Sequence, residues 1–432
     1  MYVRAHIDWC DNVIMIDRSS KAFDLLLPRL LLIWGPSAAR VQIGNRIPMG
    51  QRMSARQLFM KLMITALLSI ISQSHSFKLT RAFTVTKASA QPYSGSYLRM
   101  SSDLSAEAAS FFLEDKDLKF SPTSGGVNNV VQYVETSDRK QYVLRIYNNG
   151  QNTPRVKFEH EVLAQLRDKS LSFKIPTTIG ALETGESSVS LSNGAEASLF
   201  ELIPGELPKL TRVRQIGAAS GELSRALQDV VVNQPCPTPP YYELYKVHHA
   251  VTRDLFFQEV ASSVFDSCRE PTDKLVAAIL DVEKKIESFT ALKLPQQLIH
   301  GDLHYDNILC DGDEVSGLLD FEFCSLDWRA MEIAICLSKY AGEKDALTYF
   351  DSFVTGFAEK GILTAEEIEV VPDLINLRVL SNVVYFVGRA LSKEDGIESL
   401  TSRAATYAGR VQWIRDNSKA IKDLLTSRMK NT

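Results

Sequence analysis

The stretch Leu298-Ile-His-Gly-Asp-Leu-His-Tyr-Asp-Asn-Ile-Leu309, followed by Ser316-Gly-Leu-Leu-Asp-Phe-Glu322, decides the fold of this 432-residue chain. Two short apolar runs, Leu298 to His300 and Val315 to Leu319, flank a polar loop, and we interpret them as the strands of a small hairpin. This arrangement predicts that the polar residues of the loop and those after the second strand lie close together.

The polar residues have the chemistry that phosphoryl transfer needs. Such a reaction places a carboxylate at the attacking hydroxyl and holds a divalent cation against the phosphates. Asp302 can accept the hydroxyl proton, while Asn307 and Asp320 offer oxygen ligands suited to Mg²⁺. The alternative interpretation is a polar loop that only caps its neighbours, but the order and spacing of the elements favour catalysis.

These residues resemble the catalytic loop and metal-binding Asp of protein kinases, with Asp-Phe-Glu where protein kinases have Asp-Phe-Gly. The sequence resembles the aminoglycoside phosphotransferase and choline kinase group in its His-Gly-Asp-x₄-Asn loop and its Asp-Phe-Glu. Members of this group act on small molecules, and the absence of an Ala-Pro-Glu motif argues against a protein substrate. The resemblance covers roughly residues 105 to 395. It implies an α+β, protein-kinase-like two-lobed fold, with a small antiparallel-sheet N-lobe and a larger helical C-lobe. It also implies ATP and Mg²⁺ as cofactors and transfer of the γ-phosphoryl group to a metabolite hydroxyl.

The same resemblance assigns nucleotide-binding residues upstream. Gly125 and Gly126 would let backbone N–H groups approach the ATP phosphates. Arg145 stands where most members have a phosphate-anchoring Lys, and Glu159 is its expected partner, with Glu161 as the competing choice. A planar guanidinium is not equivalent to an ammonium at this place. The backbone at Glu201 and Leu202 is expected to bind adenine.

Among the subfamilies, the sequence is most similar to type II homoserine kinase, especially over Ile299 to Asp306 and Ala334-Ile-Cys-Leu337. A helix over the later segment would align four polar residues on one face, namely Arg378, Asn382, Tyr385 and Arg389. This stripe is either a binding site for an amino-acid carboxylate through Arg378 or an ordinary solvent-facing surface. Glu322 and Glu332 are possible partners for a substrate ammonium, although Glu332 also matches a structural Asp of the family.

Other acceptors fit the same catalytic residues, namely hydroxylysine, methylthioribose, choline and a hexosamine. Choline predicts an aromatic cage, for which the candidates are Tyr241, Tyr242, Tyr245 and Trp328. A catalytically inactive nucleotide-binding protein of the same fold is the alternative from another class. Asp327 has the place of a family Asp that supports the catalytic loop from below, so we assign it a structural role.

The pattern of strands and helices divides the chain into three parts. Residues 1–102 are a targeting presequence or a disordered extension, residues 103–204 are the nucleotide-binding N-lobe, and residues 205–432 are the helical C-lobe with the catalytic and substrate residues. Predicted strands in the N-lobe are Leu118 to Pro122, Asn129 to Val134, Tyr142 to Tyr147, Thr177 to Leu182, Val189 to Leu191 and Ala197 to Ile203. Predicted helices are Ala106 to Glu114, Phe158 to Arg167, Val213 to Leu227, Lys274 to Ala291, Met331 to Tyr340, Ala346 to Lys360, Pro372 to Leu391 and Ala404 to Leu425. The Pro-rich stretch from Gln234 to Pro240 is predicted to be a loop.

The first hundred residues are basic, because no acidic residue occurs between Asp24 and Asp103. Basic residues precede the apolar run from Leu62 to Ile71, and a Ser, Thr and Lys/Arg-rich segment follows it, like the bipartite presequences of algae with secondary plastids. We expect plastid import, with a disordered or misannotated extension and a cytoplasmic protein as the alternative. The apolar run is too short to span a bilayer comfortably, so no stable membrane association of the mature form is expected.

The composition limits the partners. A formal net charge of −4 shows no polyanion-binding footprint, so a small hydroxyl-bearing molecule is expected and nucleic acid is not. The six cysteines form no Cys-x-x-Cys pair and are interpreted as reduced thiols. Oligomeric state is left open by the sequence.

Overall fold

The computed structural model describes residues 2–3, 5–8, 13–16, 53–54, 104–123, 129–147 and 153–429. The chain divides into two units, Met1–Gln91 and Pro92–Thr432. The described residues of the first unit form the short strands β1 (Tyr2–Val3), β2 (Ala5–Asp8), β3 (Val13–Ile16) and β4 (Met53–Ser54). Strand β1 pairs with β4, and β2 pairs with β3, both antiparallel. The apolar run of the predicted presequence lies outside the described residues.

An antiparallel sheet forms the amino-terminal part of the second unit. Its strands are β5 (Lys119–Pro122), β6 (Val130–Glu135), β7 (Gln141–Tyr147), β8 (Thr178–Ile179), β9 (Val189–Ser190) and β10 (Glu196–Glu201). They are ordered β5-β6-β7-β10-β8, and β9 pairs with β10. The predicted strand from Thr177 is shorter than expected, because the backbone N–H of Gly185 donates to Ala181 O at 2.7 Å and closes a turn.

The pleat of β7 separates the core of this lobe from its polar face, because successive side chains of a strand point in opposite directions. Leu144 and Ile146 are buried in a cluster with Ala108 and Phe112. Ala108 belongs to the helical residues 104–110, and Phe112 follows them. Arg145 lies on the other face. The sheet therefore directs one guanidinium away from its apolar core, towards the segment that follows.

That segment is helix α1 (Thr153–Arg167), which buries Phe158, Val162, Leu163 and Leu166 at helical spacing. Glu159 is also buried on this helix. A carboxylate buried in this way stays ionised only with a cationic partner. The helix begins earlier than the predicted Phe158, while its end at Arg167 agrees with the sequence.

The carboxy-terminal part of the unit is helical. It contains α2 (Val213–Leu227), α3 (Arg253–Val260), α4 (Arg269–Ala291), α5 (Ala330–Ser338), α6 (Ala346–Phe357), α7 (Ala365–Leu391), α8 (Glu398–Thr401), α9 (Ala404–Asp416) and α10 (Ser418–Met429). These helices share one large apolar core with the underside of the sheet lobe. A predominantly antiparallel N-lobe and a helical C-lobe are the architecture that the sequence predicts.

Two short two-stranded sheets lie between the helices, and their pairing differs from the prediction. Strand β11 (Gln296–Ile299) pairs with β14 (Ser325–Trp328), and β12 (Ile308–Asp311) pairs with β13 (Glu314–Leu318). The two strands recognised from the sequence therefore do not pair with each other. Strand β11 pairs with β14 across the inserted β12 and β13, and local propensity does not determine such a long-range pairing. Strand β12 joins β13 through a short turn at Gly312, and the sequence analysis did not recognise it as a strand.

Helix α7 is the central helix of the C-lobe. It is long and apolar enough to cross a membrane by length and composition, but 72% of its most apolar window is buried inside the protein. The helix begins before Pro372, contrary to the prediction, because Thr364 and Glu367 form a capping box at its amino terminus. The predicted helix from Ala404 to Leu425 is interrupted at Asn417, so α9 and α10 are separate.

Candidate active site

Asp302 lies in the loop after β11, and its carboxylate is held by neighbours on both sides. Its Oδ1 accepts a hydrogen bond from Arg378 Nη2 at 2.5 Å, and its Oδ2 accepts one from Asn307 Nδ2 at 3.3 Å. The ring of His304 lies 3.5 Å from Oδ1. Burial alone raises the pKa of Asp302, but the charge of Arg378 and the hydrogen bond of His304 outweigh it and hold the pKa below its ordinary value. The carboxylate is therefore ionised.

The loop is tied to the strand end that carries Asp320. His300 is fully buried, and its Nε2 lies 2.9 Å from Leu319 O, while its Nδ1 accepts from the Asp302 N–H at 3.3 Å. Because a carbonyl only accepts, the proton of the neutral ring must be on Nε2. Asn307 contributes a second connection, since its backbone oxygen accepts from the Leu319 N–H at 2.9 Å.

Gly301 allows this close packing of the loop. Its φ is +82°, and a Cβ atom at this position would lie 2.2 Å from Phe323 O. No other residue fits without movement of the backbone. The loop conformation that presents Asp302 thus depends on a residue without a side chain.

Arg145 reaches three carboxylates from the sheet. Its Nη1 donates to Glu159 Oε1 at 3.0 Å, and its Nη2 lies 3.2 Å from Asp320 Oδ1 and 2.7 Å from Glu322 Oε2. Glu161 is not the partner, because it accepts from the Asn233 N–H and from Gln234 instead. Burial raises the pKa of Asp320, and the neighbouring Glu322 and Glu159 add to this, although Arg145 opposes it. A cation beside Asp320 would relieve this concentration of negative charge.

The predicted role of Glu322 in binding a substrate ammonium disagrees with its position. Only 4% of the residue is exposed, and its carboxylate accepts from Asn129 Nδ2 at 3.0 Å as well as from Arg145. Both contacts come from the sheet lobe, and Asn129 follows the glycine segment. Glu322 therefore belongs to the connection between the lobes, and sequence reasoning did not identify Asn129, which has no motif of its own.

The remaining residues predicted to bind the nucleotide lie at the end of strand β10 or outside the described residues. Gly125 and Gly126 lie outside the described residues. Glu201 ends β10, and its backbone N–H donates to Thr177 O at 2.9 Å. Leu202 follows directly and is partly buried. The position of this segment between the lobes agrees with a hinge, and adenine binding by its backbone stays a prediction.

The polar stripe of α7 is divided between two environments. Arg378 contacts Asp302, and its Nη1 donates to Asn382 Oδ1 at 2.6 Å. Arg389 instead pairs with Glu394 at 3.1 Å and Asp395 at 2.5 Å, and it also contacts the Tyr385 hydroxyl. Only the amino-terminal half of the stripe therefore belongs to the site, and neither half is an ordinary solvent-facing surface.

The loop is supported from below by Glu332 more directly than by Asp327. Glu332 is fully buried and accepts the His300 N–H at 2.5 Å. Burial raises the pKa of Glu332 to about 8, although the N–H groups of His300 and Gly301 oppose the shift. Asp327 accepts from the backbone N–H of Tyr241 and of Trp328, each at 2.6 Å. It supports the loop through Tyr241, whose hydroxyl donates to Gly301 O at 2.7 Å.

The aromatic residues considered for a choline cage do not converge on an open site. The ring of Tyr241 faces the guanidinium of Arg378, with 5.5 Å between Cζ and the ring centroid. Trp328 is buried against Tyr242, and Tyr245 donates its hydroxyl to Glu283 at 2.6 Å. The aromatic face nearest Asp302 is therefore already occupied by a cation of the protein itself.

A kinase-like pair of lobes, with Asp302, Asn307 and Asp320 grouped around the strand ends of the C-lobe, is the arrangement of a phosphotransferase that acts on a small molecule. Residues 119–363, more than half of the chain, match the model of the phosphotransferase enzyme family, and the chain belongs to this family.

Individual relatives and solved structures agree with this family. A homoserine kinase of Sinorhizobium fredii is 26% identical over 294 residues, which are 64% of this chain and 83% of that relative. The structure of a microcompartment-associated aminopropanol kinase matches with a TM-score of 0.58 and 16% identity, over 75% of this chain and 98% of that one. The amicoumacin kinase hAmiN, in complex with AMP-PNP, Ca²⁺ and Ami, matches with a TM-score of 0.51 and 15% identity, over 77% of this chain and 94% of that one.

Proposed function

We propose that this protein is an ATP-dependent kinase that phosphorylates the side-chain hydroxyl of a small amino acid, with homoserine as the best candidate. The observation that carries the proposal is the position of Arg378, whose guanidinium lies 2.5 Å from the carboxylate of Asp302. A guanidinium binds carboxylates through two parallel hydrogen bonds. An acceptor held by its carboxylate at Arg378 places a hydroxyl a few bonds away within reach of Asp302.

The proposed transfer assigns a role to each of these groups. The acceptor oxygen forms a bond to the γ-phosphorus, the bond from this phosphorus to the β,γ-bridging oxygen breaks, and ADP leaves. The hydroxyl proton goes to Asp302, which is ionised and fixed by Asn307 and by the support of the loop. His300 keeps the loop against Leu319 and thereby fixes the distance between Asp302 and Asp320.

A divalent cation fits the donor set beside Asp320. The carboxylate of Asp320 and the side-chain amide oxygen of Asn307 are hard oxygen ligands, and three carboxylates around Arg145 leave an excess of negative charge. We assign Mg²⁺ to Asn307 and Asp320. When bound, it neutralises charge on the phosphates. The amicoumacin kinase complex with AMP-PNP and Ca²⁺ supports the pairing of a nucleotide with a divalent cation in this fold.

Arg145 takes the place of the usual phosphate-anchoring Lys in this proposal. Its pairing with Glu159 orients the guanidinium from below, as the ion pair of a kinase-like sheet and helix does. Gly125, Gly126, Glu201 and Leu202 complete the proposed ATP site. Plastid localisation accompanies the proposal and rests on the composition of the first hundred residues alone.

A second candidate acceptor is an amino alcohol, because the aminopropanol kinase has the same fold. Choline is less suited to the site, because the face of Tyr241 already contacts Arg378 and a quaternary ammonium would meet a guanidinium. An acceptor that carries a carboxylate can instead bind the Arg378 guanidinium by charge-assisted hydrogen bonds.

The test is a screen of ADP release by the full chain with Mg-ATP and one acceptor at a time. Acceptors are L-homoserine, 3-aminopropan-1-ol, hydroxylysine, methylthioribose, choline and a hexosamine, and Asp302→Asn is the matched control of equal size. Turnover on L-homoserine that is reduced about 10²-fold or more in Asp302→Asn is expected. Turnover on choline or a hexosamine but not on homoserine would overturn the substrate, and equal activity of Asp302→Asn would overturn the site.

A further inference from the structure

Arg378 and Asp302 form an ion pair at the centre of the site. Arg378 Nη2 donates to Asp302 Oδ1 at 2.5 Å, and the side chains are 12% and 20% exposed, respectively. The contact is therefore shielded from water on most sides. An ion pair with little solvent competition is stronger than a surface pair, so it is not displaced without a competing group.

The ion pair occupies the oxygen atoms that catalysis needs. Oδ1 of Asp302 accepts from Arg378, and Oδ2 accepts from Asn307 Nδ2 at 3.3 Å. A hydroxyl that is to lose its proton must donate it to one of these oxygens at hydrogen-bond distance. An uncharged hydroxyl competes poorly with a guanidinium for a carboxylate oxygen, because charge-assisted hydrogen bonds are about twice as strong as neutral ones.

Two contacts hold the guanidinium of Arg378 independently of Asp302. The guanidinium lies over the ring of Tyr241, which is fixed to the loop by its hydroxyl on Gly301 O at 2.7 Å. The other amino group donates to Asn382 Oδ1 at 2.6 Å. An incoming carboxylate can therefore take the Nη2 donor without removing the guanidinium from its aromatic support.

We propose that Arg378 is a specificity-determining residue that makes a carboxylate on the acceptor a requirement for fast transfer. The carboxylate binds the guanidinium, and this exchange releases Asp302 Oδ1 to accept the hydroxyl proton. The inference rests on the proposed function, because it takes a carboxylate-bearing acceptor as the substrate class. It adds that the carboxylate contributes to kcat and not only to binding.

Two acceptors that differ only in the carboxylate test this directly in the wild-type protein. L-Homoserine and 3-aminopropan-1-ol share the amine, the three-carbon chain and the hydroxyl. We expect kcat for homoserine to be about tenfold higher or more, the effect of one charge-assisted interaction that is made as the transition state is reached. Equal kcat values with different KM values would show that the carboxylate only binds, and would overturn the inference.

Two variants of the same helix separate release of Asp302 from other effects. Arg378→Met removes the ion pair, and the ratio of the two kcat values is expected to fall to about one. Arg389→Met removes a guanidinium that pairs with Glu394 and Asp395, and it should keep the wild-type ratio. A wild-type ratio in Arg378→Met would overturn the inference. The wild-type comparison decides the question even where a variant does not fold.

A further measurement separates this inference from the identity of the acceptor. L-2-Aminobutyrate has the carboxylate and amine of homoserine but no hydroxyl, so it can release Asp302 while water takes the place of the acceptor. We expect it to stimulate hydrolysis of Mg-ATP in the wild type and in Arg389→Met, but not in Arg378→Met.

Stimulation without phosphorylation of homoserine would overturn the proposed function and leave the release of Asp302 standing. The release of Asp302 alone would be overturned if homoserine is phosphorylated, L-2-aminobutyrate does not stimulate ATP hydrolysis, and the kcat values for homoserine and 3-aminopropan-1-ol are equal. If homoserine is not phosphorylated and L-2-aminobutyrate does not stimulate ATP hydrolysis, the proposed function and the release of Asp302 are both overturned.

Discussion

His300 Nε2 lies 2.9 Å from the backbone oxygen of Leu319, the residue directly before Asp320. This contact joins the loop of the proposed base to the strand end of the proposed metal ligand. The ring is fully buried and packs against Phe321, with 4.6 Å between the ring centroids. A hydrogen bond from a neutral side chain therefore helps to fix the relative position of two carboxylates, together with the backbone hydrogen bond from Leu319 to Asn307.

Replacement of His300 by Phe should lower both stability and turnover. The Leu319 carbonyl loses its donor, which costs about 1–3 kcal/mol, and the loop is less well positioned, so kcat falls about tenfold. Chemical denaturation and ADP release measure the two effects. His249→Phe, at an exposed position, is the control and should change stability by about 0.5 kcal/mol or less. Unchanged kcat in His300→Phe would show that the contact does not position the site.

Gly301→Ala should abolish most of the activity, since the Cβ atom would lie 2.2 Å from Phe323 O and the backbone has a φ of +82°. Gly312→Ala is the matched control, because it has a φ of +60° but no atom within 4 Å of the added Cβ. The control should cost about 1–2 kcal/mol in strain and keep its turnover. Equal losses of activity in both variants would attribute the effect to strain rather than to the close contact.

Arg145→Met should destabilise the protein strongly, because Glu159 and Glu322 remain buried without their cation. Removal of one partner from a buried ion pair costs about 3–5 kcal/mol. Arg145→Lys keeps the charge but not the planar fork, so an intermediate loss is expected. Arg253→Met, which breaks a half-exposed pair with Glu283, should cost about 1 kcal/mol or less in the same denaturation experiment. A loss as small as this in Arg145→Met would contradict the buried network.

The stability contribution of His160 should depend on pH. Burial, with a smaller contribution from Arg145, lowers the pKa of His160 to about 4 from an ordinary value near 6.5. The unfolded chain therefore binds the proton first, and folding loses stability as the pH falls from about 6.5 to 4. Relative to His160→Gln, the wild type should lose about 2–3 kcal/mol between pH 7 and pH 4.5. Urea denaturation of both proteins at several pH values measures this, and a difference independent of pH would contradict a neutral buried ring.

The sequence identified the candidate catalytic residues because that information is local. Asp302, Asn307 and Asp320 lie within nineteen residues, and their order and spacing identify the chemistry before any packing is known. Helical periodicity likewise identified α2 and the end of α1. The start of α7 was missed although a signal was present, since Thr364 and Glu367 have the spacing of a capping box.

The partners of these residues could not be predicted in the same way, because they are distant along the chain. Arg378 meets Asp302 across 76 residues, and Glu322 meets Asn129 across 193. No local propensity determines which carboxylate a guanidinium meets, and the same holds for the pairing of β11 with β14. The sequence by itself determined the class of chemistry and the two-lobed fold. Only the tertiary structure decided that Glu322 joins the lobes and that Arg378 pairs with Asp302, because burial and charge pairing are properties of the packed chain.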